Sequence, residues 1–109
     1  MDVNWIGDSG KVYRMQLCEF GRAFSTNPGV YIFCKHDVHG RWAQIYVGET
    51  EDFNDRLNVN LANHPCWGCI IQLKRATNVC CLVLHGGKAV RTAIQTDLLA
   101  ALDPPCHHQ

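Results

Sequence analysis

Two tyrosines stand beside glycines at the ends of apolar, β-branched runs. Gly29-Val30-Tyr31 opens the run Val30-Tyr31-Ile32-Phe33-Cys34, and Tyr46-Val47-Gly48 closes the run Trp42-Ala43-Gln44-Ile45-Tyr46-Val47. The polar stretch Lys35 to Arg41, with Gly40 inside it, joins the two runs and predicts an antiparallel hairpin with a longish loop. Antiparallel pairing sets the start of one strand beside the end of the other, so two ionisable phenols share one end of the sheet. Arg56 follows Tyr46 by ten residues. Further on, His64-Pro65-Cys66-Trp67-Gly68-Cys69 contains a Cys-x-x-Cys pair, which is half of a zinc site or a redox dithiol; no second Cys-x-x-Cys exists to complete a four-sulfur site. Gly86-Gly87-Lys88 is not a phosphate loop, because the six-residue lead-in and the following Ser or Thr are missing.

Taken together, Gly29-Val30-Tyr31, Tyr46-Val47-Gly48, the Arg56 segment, a later strand and a final helix ending in Pro104-Pro105-Cys106 resemble a GIY-YIG nuclease domain over roughly residues 28 to 109. The resemblance implies an endonuclease that hydrolyses DNA phosphodiester bonds with a divalent metal, Mg²⁺ or Mn²⁺. It implies that Tyr31 and Tyr46 position or deprotonate the attacking water, and that Arg56 clamps a non-bridging phosphate oxygen. Asn60, one turn after Arg56, stands where many members have a histidine, and His64 is a substitute from the end of the same segment. Arg91 shares a helix face with Gln95 and could contact phosphate.

The resemblance breaks at the metal. Gln95 occupies the position of the family's metal-binding glutamate, and His107, twelve residues later, occupies that of its asparagine. An amide offers a carbonyl oxygen without the negative charge that a hard cation relies on. Asp97 lies about 200° around the helix from Gln95 and does not replace it. Three readings of Gln95 stay open: an engineered form, a degenerate member that binds nucleic acid without cutting, or a rebuilt site in which His64, His107 or His108 recruits a softer ion.

The elements that must position these residues follow from pattern. Lys11 to Leu17 alternates as a strand inside an N-terminal arm, residues 1–27, that ends at the break Ser25-Thr26-Asn27-Pro28-Gly29. Phe53, Leu57 and Leu61 recur at helical spacing after a Thr50 cap and predict an amphipathic helix up to Pro65. Trp67 to Leu73 reads as a short buried helix, Val79 to Leu84 as a buried strand, and Lys88 to Leu102 as a helix stopped by Asp103-Pro104-Pro105. The sum is an α/β (α+β) sandwich, a small mixed or antiparallel sheet flanked by helices.

With 109 residues, 47% of them hydrophobic and 18% charged, the chain is one folded domain and not a disordered segment. Ten basic residues balance ten acidic ones, so DNA binding has to come from a local cluster and not from a basic tail. Seven cysteines, an odd count that includes the adjacent pair Cys80-Cys81, argue against a secreted disulfide framework. With no signal-peptide pattern at Met1-Asp2-Val3-Asn4-Trp5 and no apolar run of membrane length, the expected location is the cytoplasm.

Overall fold

The computed structural model describes residues 1–106. Five strands form one antiparallel sheet: β1 (Asp2–Ile6), β2 (Val12–Glu19), β3 (Gly29–His36), β4 (Trp42–Thr50) and β5 (Asn78–Val83). Their spatial order is β1-β2-β5-β3-β4, so β5 enters between β2 and β3 and pairs antiparallel with both. A single long helix, α1 (Lys88–Leu102), follows β5. The remaining helical pieces are short: π-type turns at Asp55–Val59 and Gly68–Leu73, and a 3₁₀ turn at Leu61–Asn63.

Strand periodicity divides the core into two layers. Val30, Ile32 and Cys34 of β3 face one side, where Trp5, Met15, Val47 and Cys80 meet Leu98 of α1. Tyr31 and Phe33 face the other side, where Tyr46 and Val79 meet Phe53, Leu57 and Ile70 from the short helical turns. Because both faces are covered, β3 is apolar at consecutive positions, Val30 to Cys34, and does not alternate with polar residues. A bulge between Phe33 and Cys34 sets Phe33 opposite Tyr46 and Cys34 opposite Gln44, which leaves Ile45 as the extra residue.

The first 27 residues place two strands in this sheet where one was expected. Trp5, Tyr13 and Met15 are buried under α1, so the segment belongs to the shared core and is not an arm outside it. β1 escapes pattern reading because only Trp5 of its five residues is buried, the signature of an edge strand. The α1 limits are those expected from the sequence, with Asp103-Pro104-Pro105 as the stop; Asp103, at φ 43°, turns the chain and its N–H bonds the Leu99 carbonyl at 3.1 Å.

The amphipathic helix expected over residues 50–64 does not form as such. Phe53 and Leu57 are buried as the spacing required, but the backbone widens to a π-type turn in which Asn60 N–H bonds the Asp55 carbonyl at 2.7 Å. Asparagine side chains compete for the local bonds: Asn60 donates to the Asp55 carboxylate, and Asn58 donates to Asn54, whose oxygen also accepts the Phe24 N–H at 2.9 Å. The capping role falls to Asp52, which accepts the Asp55 N–H at 3.0 Å.

The odd cysteine count argues against a disulfide framework, but one disulfide is present among the described residues. Cys69 and Cys106 are bonded to each other with Cα atoms 5.8 Å apart, tying the end of the chain to the turn at Gly68–Leu73. Cys106 is anchored further by its N–H, which donates to Ile45 O at 2.9 Å.

Candidate functional site

Tyr31 and Gly48 are directly opposed across β3 and β4. A methyl group at position 48 would come within 2.5 Å of the Tyr31 ring and hydroxyl and 2.8 Å of the Tyr46 ring, so the glycine is the space in which the two phenols lie side by side. Their ring centroids are 6.1 Å apart and the planes 26° from parallel. Gly29 serves a parallel purpose at the start of β3, where any side chain would run into the Leu82 carbonyl and the Phe53 ring.

His64 completes this group. It follows the 3₁₀ turn, is 4% exposed, and sets its ring edge-on to Tyr46 at 4.7 Å. Its Nδ1 accepts the Cys66 N–H at 3.1 Å, and its Nε2 lies 2.9 Å from the Tyr31 hydroxyl. Because Nδ1 is an acceptor, the ring proton of neutral His64 is on Nε2, which donates to Tyr31. The result is a directed link from the Cys66 backbone through His64 to the Tyr31 oxygen. The Tyr46 ring stacks beside Tyr31 across the space left by Gly48. Burial pushes the Tyr31 phenol well above the ordinary range, Tyr46 adds to this and Arg56 opposes it. Tyr46 is raised by burial and by Cys66, against the Tyr31 hydrogen bond and Arg56. Both phenols are therefore protonated at neutral pH, and they orient a neighbour instead of acting as preformed bases.

Beside the phenols opens a cleft of about 630 Å³, between the end of β4, the Asp55–Val59 turn and the start of α1. Arg56, Asn60 and Asn63 line one side, Glu49 and Glu51 the floor, and Lys88 and Arg91 the helix side. Arg56 Nη2 donates to the Asn60 carbonyl at 2.9 Å, while its buried Nε has no partner among the described residues. Arg91 is 4% exposed and bonds Glu49 through Nε at 2.9 Å, with Glu51 at 3.9 Å from Nη2. The cleft carboxylates are mostly engaged: Glu49 by Arg91, Asp52 by the Asp55 N–H and Asp55 by Asn60.

Of the residues singled out in the sequence, Tyr31, Tyr46 and His64 meet in one buried group, and Arg56, Asn60 and Arg91 share the adjoining cleft. Gln95 lies one turn beyond Arg91 on α1, half-buried and outside the residues that line the cleft. His107 lies outside the described residues. Asp97 is spent on the fold: its carboxylate accepts from Ser9 N at 2.8 Å, Ser9 Oγ at 2.7 Å and the Tyr13 hydroxyl at 2.7 Å. Glu49, Asn63 and Lys88 are among the cleft residues that sequence reading missed; the signal for Glu49 was its place directly after Gly48 on the strand that carries Tyr46.

The donor set does not fit the divalent ion implied by the tyrosine and arginine motifs. Gln95 brings no charge, Glu49 is neutralised by Arg91, and among the described residues no group of three His, Cys, Asp or Glu side chains is arranged to hold a metal. The Cys66-x-x-Cys69 pair is likewise unavailable as two thiolates, since Cys69 is bonded to Cys106 and burial raises the Cys66 thiol. Among the described residues no helix is long and apolar enough to cross a membrane. Comparison of the chain with family models, with curated proteins and with solved structures returns no match to any of them.

Proposed function

We propose that this chain is a GIY-YIG-type nuclease domain whose cleft binds a DNA phosphodiester, with its hydrolytic step attenuated by glutamine at position 95. The observation that carries the reading is the contact between the Tyr31 hydroxyl and His64, in a glycine-made space next to Arg56. Arg56 lines the cleft and is held in place by its Nη2 bond to the Asn60 carbonyl, which fits a permanently charged clamp for a phosphate oxygen. His64 holds the Tyr31 oxygen beside the Tyr46 ring, and a phenol oxygen with a remaining lone pair accepts a hydrogen bond from water and orients it. Since both phenols are protonated, this is positioning, and the proton of the water leaves to solvent.

A second reading draws on the cleft's donor set: the same surface binds nucleic acid without turnover, as expected where the carboxylate is an amide and Glu49 is locked to Arg91. Balanced overall charge predicts weak non-specific affinity in either case.

Plasmid DNA with Mg²⁺ or Mn²⁺ separates the readings. The attenuated-nuclease reading expects slow nicking by the chain as it stands, accelerated by Gln95→Glu and abolished when Tyr31→Phe, Tyr46→Phe and Arg56→Ala are added. DNA binding with no nicking, unchanged by Gln95→Glu, selects the binding module. Absence of DNA binding by every form, or nicking indifferent to the three site substitutions, overturns the assignment of the cleft.

A further inference from the structure

The Cys69–Cys106 bond latches the stretch that follows α1 to the turn at Gly68–Leu73. Cys106 is 2% exposed and its N–H bonds Ile45 O at 2.9 Å, so the latch closes against β4 one residue before Tyr46. The Gln44 side chain donates to the Leu102 carbonyl at 2.6 Å and seats the end of α1 on the same strand.

A third sulfur stands at the mouth of that turn. Cys66 is free and half-buried, and with Cys69 it packs against the core cluster that contains Cys106. The Ile70 N–H bonds the Cys66 carbonyl at 2.9 Å, which closes a helical turn over residues 66–70. In such a turn residues three apart share a face, with Cβ atoms about 5–6 Å apart. A disulfide needs about 3.5–4.5 Å between them, so a small rotation brings Cys66 and Cys69 to bonding distance. Cys66 is free to make it, because it starts the turn and its N–H is held from outside the helical ladder, by His64 Nδ1 at 3.1 Å.

The other free thiols lack this placement. Cys18, Cys34, Cys80 and Cys81 are carried by the strands β2, β3 and β5, whereas Cys66 shares a turn with a bonded cysteine.

We propose that Cys66, Cys69 and Cys106 form a thiol–disulfide exchange centre, in which Cys66 moves the bond from Cys69–Cys106 to Cys66–Cys69 and unlatches the chain after α1. The Cys66 thiolate forms an S–S bond to the Cys69 sulfur and the Cys69–Cys106 bond breaks. Cys106 departs with the electron pair and takes up the proton that Cys66 released. One disulfide is lost and one gained, so the step needs neither an oxidant nor a reductant from outside. Cys106 is then held to β4 by its N–H bond to Ile45, with no covalent tie. Burial raises the Cys66 thiol, which keeps its thiolate fraction small and sets the exchange on a scale of about minutes to hours.

The test holds the whole folded chain, disulfide intact, at about pH 8 without oxygen or added thiol. Samples are quenched in acid, which stops exchange by protonating thiolates, and cysteine links are mapped by mass spectrometry without reduction. A Cys66–Cys69 link with a free Cys106 thiol is expected to grow in to about 1–10% of chains, the range of a minor state. With reduced glutathione added, loss of the Cys69–Cys106 bond is expected to be about fivefold slower in Cys66→Ser than in the unaltered chain, because the internal thiol no longer opens it. Absence of the Cys66–Cys69 link without glutathione, a Cys66–Cys106 link in its place, or equal rates of loss in the two chains overturns the proposal.

Discussion

Arg91 of α1 reaches across to Glu49 at the end of β4, Nε to Oε1 at 2.9 Å, and its side chain is almost completely enclosed. The contact fixes the first turn of the helix to the strand that carries Tyr46. Glu49→Gln strands a buried guanidinium beside a neutral amide and is expected to cost about 2–4 kcal/mol, somewhat below a fully buried pair because Glu49 keeps contact with water. Arg91→Leu with Glu49→Gln together is expected to recover part of that loss. Urea unfolding of the two singles and the double measures it; strict additivity would show the pair to be uncoupled.

Tyr31 gives an alkaline signature. Its folded value lies above that of an exposed phenol, so its contribution is complete below the unfolded value near 10 and is lost as pH rises through the folded value. Tyr31→Phe is expected to flatten the alkaline limb of the stability curve and to destabilise the fold by about 1–2 kcal/mol at pH 7, since His64 Nε2–H loses its acceptor. Thermal unfolding between neutral pH and pH 11 follows both effects.

Asp97 gives the opposite limb. Hydrogen bonds from Ser9, then from Tyr13, hold its carboxyl below the ordinary value of 3.8. Its contribution is present above the unfolded value and is lost as pH falls through the lower folded value. Asp97→Asn should therefore lower the melting temperature at pH 7, with the gap to wild type closing below about pH 3.8. A gap that persisted unchanged into that acid range would assign the effect to packing instead.

The Cys69–Cys106 bond closes a loop with a sequence separation of 37. On the chain-entropy account such a loop contributes about 4 kcal/mol, so dithiothreitol should lower the denaturation midpoint markedly. Cys69→Ser and Cys106→Ser should each reproduce the reduced midpoint and abolish its response to dithiothreitol, whereas Cys66→Ser should leave that response intact.

Strong local patterns carried much of the fold. The β3–β4 hairpin and β5 were legible as continuous apolar, β-branched runs and α1 as a 3.6-residue repeat, each bounded by clear Gly, Asn-Pro or Pro-Pro punctuation. The segment after Thr50 was misread in its backbone and not in its core contacts: Phe53 and Leu57 are buried on schedule, but a run rich in asparagine bonds to itself and widens the turn. β1 was silent because a five-residue edge strand buries little. In the site, the antiparallel hairpin foretold the Tyr31–Tyr46 approach, since pairing sets the start of one strand beside the end of the other. The Arg91–Glu49 pair and the Cys69–Cys106 bond join positions 42 and 37 residues apart, and such pairings depend on sheet order that no local pattern encodes.

The insertion of β5 between β2 and β3 has a consequence for how the chain assembles. The β1–β2 and β3–β4 hairpins can each zip locally, but they share no ladder until residues 78–83 arrive to pair with both. The segment from β5 to α1 is thus the keystone of the sheet and, through Lys88 and Arg91, also one wall of the cleft. A ribosome making this domain would hold two unjoined hairpins until residues 78–83 had emerged, and the cleft would acquire its helix wall only after the two hairpins had become a single sheet.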